Sequence, residues 1–251
     1  MTPHFQSISA FTKDPYKKIL AFPKPKNSEI KKRIIELKKL GIVHVSFTGP
    51  LQIEKCQILG KGYVGMVVLA RQNRRLVALK IRRVDSPRKN MSDEAKLLKT
   101  ANKINVGPKF IKNSKNFLVM EFVDGEKIID WAKKSQTKSK ELRSVINSVL
   151  KECYLLDNAG LDHGELSTID KHVIVGKKKC TIIDFESSST KRRLSNVSAA
   201  TQALFIGTGL TKIIRKKMKV PRKNKIIRLI RNYKKMKTEE SFNELLQELK
   251  L

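Results

Sequence analysis

Three glycines set between two strand-like runs constrain this chain more than any other feature. Gly60-Lys61-Gly62-Tyr63-Val64-Gly65-Met66-Val67 follows Gln57-Ile58-Leu59 and leads straight into Met66-Val67-Val68-Leu69-Ala70. Positions without side chains let backbone amides close over phosphate groups. A dinucleotide fold is disfavoured, because its glycine turn must open a helix whose N-terminus meets the pyrophosphate, and here a β-branched run follows. Asn73-Arg74-Arg75 turns the chain back into Leu76-Val77-Ala78-Leu79-Lys80-Ile81, which predicts a three-stranded antiparallel meander with a lysine on its third strand. Taken alone, the glycine loop reads equally well as a flexible hairpin tip.

The flanking segments follow from periodicity and punctuation. The first two dozen residues, with Pro3, Pro15, Pro23 and Pro25, predict an irregular arm with little structure. Ser28 is a cap for a helix over Glu29 to Leu40, with Ile30, Ile34, Leu37 and Leu40 on one stripe and Gly41 as its stop. Ile42 to Phe47 alternates as a strand. Ser86-Pro87 predicts the start of a helix running to about Lys103, and a hairpin follows around Asn113 to Asn116. After Gly125 the chain becomes helical. Leu142, Val145, Ile146, Val149, Leu150 and Cys153 recur at three- and four-residue steps, one buried face of a helix ending near Gly160. Two short strands, Val173 to Val175 and Cys180 to Ile183, are joined by the polar turn Gly176 to Lys179. Beyond Asn196 come short helices, with stripes at Leu210, Ile213 and Ile214, then Ile226, Ile227, Ile230 and Tyr233, then Phe242, Leu245, Leu246 and Leu249.

Composition narrows the setting. Of 251 residues 40% are apolar and 31% charged, against about 45–50% and 25% in ordinary soluble domains, so the chain is polar and still able to bury a core. Three widely spaced cysteines, Cys56, Cys153 and Cys180, form neither a zinc ribbon nor a disulfide framework, which points to a reducing, cytoplasmic setting. No apolar run approaches the ~18–20 residues needed to cross a bilayer, and no signal peptide is legible. The sequon Asn196-Val197-Ser198 reads as coincidence. The net charge of +31 is uneven, with +13 on residues 191–251 and no acidic residue between Lys191 and Lys237. Such a surface calls for a polyanionic partner or reflects a Lys-rich proteome.

The remaining motifs decide the class. Val77-Ala78-Leu79-Lys80 lies on the third strand of the meander, Glu94 falls on the following helix, and Leu118-Val119-Met120-Glu121-Phe122-Val123 follows as another strand. His163-Gly164-Glu165-Leu166-Ser167 comes directly after the long amphipathic helix, and Asp184-Phe185-Glu186 ends a strand. In this order the sequence resembles the atypical protein-kinase-like superfamily, RIO-like proteins included, over roughly Gln57 to Glu186. The resemblance implies an α+β, bilobal protein-kinase-like fold, with an N-terminal arm, helix and strand over 1–50, a β-rich N-lobe over 51–123 and a reduced, mainly helical C-lobe with a basic tail over 124–251. It implies ATP and Mg²⁺ as cofactors. Gly60, Gly62, Gly65, Val67, Ala78, Lys80, Glu94, Glu121 and Val123 would hold the nucleotide, Lys80 gripping its phosphates and Glu94 pairing with Lys80. Asp184 would bind the metal, and Glu165 would accept the proton of the attacking hydroxyl or orient it.

The departures are as informative. Gly164 stands where many kinases carry the arginine that answers an activation-loop phosphate, which implies that this chain has no such switch. Glu165 is one methylene longer than the usual aspartate, and Glu186 replaces a glycine. The second metal ligand is open: counting from His163 reaches Asp170, a hard oxygen donor suited to Mg²⁺, whereas aligning on Val173 to Val175 places His172 there. On chemistry Asp170 is favoured, with His172 touching a phosphate or nothing. Ser195, in the basic loop after Asp184, is a candidate for autophosphorylation. The combination is most similar to an archaeal family of serine/threonine kinases of unassigned substrate. Two functions follow as expectations: a Mg²⁺-dependent phosphotransferase or ATPase acting on a protein acceptor, or a pseudokinase whose basic surface docks on RNA or a ribosomal particle. No membrane partner is expected, and the sequence leaves the oligomeric state open.

Overall fold

The computed structural model describes residues 3–177, 179–207 and 209–251. The chain divides into two compact units, Met1–Lys99 with Lys109–Phe122 and Thr100–Pro108 with Val123–Leu251. Its elements mix helix and antiparallel sheet in the α+β class expected of a kinase-like protein.

The first unit opens with β1 (Phe5–Ser7), a 3-10 turn (Ile8–Thr12), α1 (Tyr16–Leu20), α2 (Asn27–Lys39) and β2 (Ile42–Ser46). It continues through β3 (Leu51–Ile53), β4 (Cys56–Ile58), β5 (Gly60–Lys61), β6 (Gly65–Gln72), β7 (Arg75–Arg82), α3 (Ser92–Lys103), β8 (Phe110–Asn113) and β9 (Phe117–Glu121). Seven strands make one antiparallel sheet in the order β1-β2-β6-β7-β9-β8, with β5 pairing β6 off the path. Period-2 alternation sends Met66, Val68, Ala70, Val77, Leu79, Ile81, Phe117 and Val119 into one core with Ile30 and Leu37 of α2. Full burial of each of the larger side chains among them contributes about 1.5–3 kcal/mol.

Four expectations are corrected here. The N-terminal arm is ordered, because Ile8, Phe11, Ile19 and Leu20 bury against the same core and Tyr16 stacks on Phe47 at 4.7 Å. These apolar residues follow no single period, which is why the segment reads as irregular in sequence. The helix expected from Ser86 starts at Ser92: Ser86 Oγ accepts the Arg88 N–H in a local turn, and Asn90 Oδ1 accepts the Ser92 N–H at 2.8 Å. The first strand of the meander belongs elsewhere, since β4 pairs β3 in a separate two-stranded sheet, while β5 and the Leu59 N–H bond to the Val67 carbonyl join that side of the loop to β6. The helix α2 also begins one residue before Ser28, its expected cap.

Arg33 fixes α2 to the sheet. Its guanidinium is fully buried and donates to Glu29 at 2.7 Å, to the carbonyls of Leu20 and Arg82 at 2.7 and 2.6 Å, and to Asn116 Oδ1 at 3.2 Å. Burial pulls its pKa below the usual arginine value, against the pull of Glu29.

The second unit holds β10 (Gly125–Lys127), α4 (Ile128–Lys133), α5 (Ser139–Asn158), a 3-10 turn (Leu166–Thr168), α6 (Ile169–His172), β11 (Val173–Gly176) and β12 (Cys180–Ile182). It ends with α7 (Asn196–Phe205), α8 (Gly209–Lys217), α9 (Lys223–Met236) and α10 (Glu239–Glu248). Strands β10, β11 and β12 form one small antiparallel sheet, of which β10 has no counterpart in the sequence reading. In the turn Gly176 to Lys179, Lys178 lies outside the described residues. The apolar face of α5 is buried, with Leu142, Ile146, Val149, Leu150 and Cys153 inaccessible. All three cysteines are free and buried, and burial raises the Cys56 and Cys180 thiols to about 11. Among the described residues no single helix is long and apolar enough to cross a membrane.

Candidate active site

In the first unit the sheet register sets Lys80 on a face with Val67 and Ala78. Val67 pairs with Lys80, and Lys80 with Leu118, while Ala78 lies between Leu69 and Met120. Residues two apart on a strand share a face, so Val67, Ala78 and Lys80 stand together opposite the hydrophobic core. Lys80 Nζ meets Glu94 Oε1 at 2.7 Å, with side chains only 3% and 8% exposed. Two charges so withdrawn from water hold each other in place, and breaking such a buried pair is destabilising.

The glycines play unequal parts. A Cβ on Gly65 would come within 2.8 Å of the Ile81 carbonyl oxygen, so this position needs glycine for the close approach of β6 and β7, whereas a Cβ on Gly60 meets nothing within 4 Å. The Gly62 N–H donates to the Gly65 carbonyl at 2.8 Å, and Tyr63 at the tip is exposed. Glu121 closes β9, its N–H donating to the Lys109 carbonyl at 2.8 Å and its carboxylate accepting the Lys109 N–H at 3.1 Å. Val123 lies in the coil beyond it.

In the second unit the structure brings Glu165, His172 and Asp184 together, each offering a ligand atom within 4.8 Å of the others. Asp170, favoured from its oxygen chemistry, is not part of this group. The short α6 places His172 immediately before β11, the position reached by registering the chain on that strand. Glu165 uses both carboxylate oxygens: Oε1 accepts Ser187 Oγ–H at 2.5 Å, and Oε2 lies 3.0 Å from His172 Nε2. His172 Nδ1 is buried without a hydrogen-bond partner among the described residues. Asp184 sits at φ +70°, a strained conformation for a residue with a Cβ and one that concentrates at functional positions.

His163 holds the loop and the strand end to each other. Its Nε2 bonds the Ile183 carbonyl at 3.1 Å and its Nδ1 lies 3.4 Å from the Glu165 N–H. A neutral ring with the proton on Nε2 satisfies both. Burial, aided by nearby His172, pushes its pKa down to about 4, so the ring is neutral at physiological pH. Phe185 packs edge-on at 5.1 Å.

Sequence reasoning missed the scaffold beneath. Asn196, read there only as part of a sequon, is buried; it accepts the His163 N–H at 2.8 Å and donates to the Leu161 carbonyl and to Asp157 Oδ1, both at 2.8 Å. Asp157 also accepts the main-chain N–H groups of Asn196 and Val197 at the N-terminus of α7, and the Tyr233 hydroxyl at 2.9 Å. A carboxylate suits that helix end, though burial holds the Asp157 pKa above its ordinary value. A third tie runs from Asp162 to Arg192 Nε at 2.6 Å and to Ser195. The only sequence trace of this scaffold is polar residues falling where helical periodicity demands burial.

The donor set suits a divalent ion. Two carboxylates supply the hard oxygen atoms that Mg²⁺ and Mn²⁺ take, while the imidazole is a poorer partner for Mg²⁺ than for a softer ion.

The family model of the RIO domain matches residues 70–197, just over half of the chain. The match begins past the glycine loop and takes in Lys80, Glu94, Glu165, His172, Asp184 and Asn196. The chain is also 31% identical over 101 residues to an uncharacterized protein of Methanocaldococcus jannaschii, an alignment covering 40% of this chain and 84% of that protein.

Proposed function

Because the chain belongs to the RIO domain family of atypical protein-kinase-like proteins, we propose that it is an ATP-dependent phosphotransferase of serine/threonine type, able to pass the γ-phosphoryl group to a protein hydroxyl or to water. The observation that carries this reading is Glu165, whose carboxylate accepts a hydroxyl at 2.5 Å while standing in one group with Asp184. A carboxylate so placed aligns a nucleophile and takes its proton. Lys80, held by Glu94, binds the phosphates, and the amides of the loop ending at Gly65 cover them. Asp184 would hold Mg²⁺, with Glu165 and His172 beside it, and the ion when bound neutralises charge on the transferred group. Its mixed oxygen and nitrogen donors lead us to expect Mn²⁺ to serve at least as well as Mg²⁺.

A basic partner-binding face accompanies this chemistry. On α9 the apolar Ile226, Leu229 and Tyr233 are buried, while Arg228, Arg231, Lys234 and Lys235 face outward. That separation within one helix favours docking on RNA or a ribosomal particle over a charge spread evenly by composition.

The test is incubation of purified protein with γ-labelled ATP and a divalent ion, alone and with a cell extract. Label on protein or as free phosphate is expected, and Asp184→Asn should abolish it. Equal turnover by that variant would remove the metal-site assignment.

A further inference from the structure

The hydroxyl that touches the candidate base belongs to the chain itself. Ser187 Oγ donates to Glu165 Oε1 at 2.5 Å, in the turn that directly follows Asp184 and Phe185. Its backbone is pinned there. The Ser187 carbonyl accepts from Arg192 Nη2 at 2.9 Å, and Arg192 is anchored through Nε to Asp162 at 2.6 Å. Asp162 and Ser189 exchange main-chain hydrogen bonds at 2.9 and 2.8 Å.

Gly164 makes this approach possible. It adopts φ +91°, and a Cβ there would lie 2.7 Å from the Ser187 carbonyl oxygen and 2.3 Å from Arg192 Nη2. An arginine at Gly164 could not coexist with this arrangement, so the glycine that distinguishes the His163-Gly164-Glu165 loop has a steric role: it lets the segment carrying Ser187 lie directly on the loop carrying Glu165.

The neighbouring serines are turned to other uses. Ser188 Oγ is buried and donates to the His163 carbonyl at 3.3 Å, Ser189 Oγ accepts main-chain N–H groups of Lys191 and Arg192, and Ser195 Oγ donates to buried Asp162. The autophosphorylation candidate from sequence, Ser195, is therefore committed to an ion-paired carboxylate. Ser187 is partly exposed and bonds the carboxylate of the catalytic loop.

We propose that Ser187 is an intramolecular phosphoacceptor, its Oγ taking the γ-phosphoryl group of ATP. This rests on the phosphotransferase reading given above. In the step, a bond forms between Ser187 Oγ and the γ-phosphorus as the bond from that phosphorus to the β,γ-bridging oxygen breaks. The hydroxyl proton passes to Glu165 Oε1, and ADP leaves with the electron pair of the broken bond. The product phosphate, with a charge of about −1.5 to −2 at neutral pH, repels Glu165 and has the Arg192 guanidinium for a neighbour, so the reaction stops after one transfer per chain.

The full-length protein incubated with ATP and Mg²⁺ or Mn²⁺ should acquire one phosphate, located on Ser187 by peptide mass spectrometry, at a rate constant independent of protein concentration. Ser187→Ala should lose it, and Ser195→Ala should keep it. A second readout needs no turnover. In Ser187→Cys the new thiol is the accessible one, because the native cysteines are buried, and its alkylation should slow severalfold when a non-hydrolysable ATP analogue and metal are bound. Turnover of ATP with no phosphate on Ser187, a phosphate retained at the same stoichiometry in Ser187→Ala, or alkylation unchanged by bound analogue would each overturn the assignment while leaving the phosphotransferase reading in place. Failure of the parent to release phosphate or label any acceptor would overturn both.

Discussion

The Lys80–Glu94 pair and the Glu165–His172–Asp184 group are both assemblies of charged side chains, yet they are built by different means. The first is set by sheet register and sealed from water: one strand carries the lysine, the next helix carries the glutamate, and local pattern brings them to 2.7 Å. The second is set by contacts remote in sequence. Asp157, Asn196 and Tyr233 support His163 from below, and Asp162 with Arg192 holds the segment after Asp184 in place. One region is a rigid grip and the other a polar platform whose geometry is the sum of many bonds. The two are vulnerable in different ways: the grip depends on one buried ion pair, whereas the platform degrades by steps.

The largest effect should come from breaking the grip. Lys80→Met breaks the buried ion pair, at a cost of up to about 3–5 kcal/mol, and removes nucleotide binding. Lys80→Met with Glu94→Leu should recover most of the stability in chemical denaturation and none of the nucleotide affinity. A single variant as stable as the parent would show that the pair is not sealed.

A smaller effect sharpens the description of the platform. Glu152 on α5 accepts the Ile182 N–H at 3.1 Å, on the strand leading to Asp184, and burial raises its pKa to about 7 against an ordinary 4.5. The folded state therefore binds more protons than the unfolded state between those values, so the stability contribution is complete below pH 4.5 and is lost as pH rises through 7. Glu152→Gln keeps the acceptor and removes the charge. It should be more stable than the parent by about 1–3 kcal/mol above pH 7, with the advantage vanishing near pH 4.5. A difference that does not vary with pH would place Glu152 in contact with solvent.

The smallest effect on folding should come from the basic face. Reversing Arg228, Arg231 and Lys235 to Glu should leave the melting temperature and ATP turnover close to the parent's, because these residues are exposed. RNA affinity should drop instead. If about five charges meet phosphates, parent affinity falls roughly a hundredfold between 50 and 200 mM salt. An RNA titration showing no binding at 100 mM salt would remove RNA as the partner of this face.

Legibility in the sequence follows the same division. Val77-Ala78-Leu79-Lys80 and Glu94 are readable because strand alternation and a helix with its charged residue in the first turn are local properties. The stripes of α5, α8, α9 and α10 are readable for the same reason. The N-terminal arm was not, since Ile8, Phe11, Ile19 and Leu20 bury through tertiary contact without a period. Nor was the grouping of His172 with Glu165 and Asp184, which depends on where α6 ends and β11 begins. Asn196 and Ser187 were invisible as site residues because their roles are hydrogen bonds to partners 33 and 22 residues away.

The account turns on Glu165 acting on a hydroxyl rather than merely occupying the loop. The decisive measurement compares the parent with Glu165→Gln, following ATP turnover and nucleotide affinity in the same preparations with Mg²⁺ and with Mn²⁺. The amide preserves shape and cannot accept a proton, so turnover should collapse while nucleotide affinity stays within about threefold, the signature of an interaction made in the transition state. A parent protein that binds Mg·ATP and neither releases phosphate nor labels any acceptor would contradict the account and identify the chain as a nucleotide-binding pseudokinase.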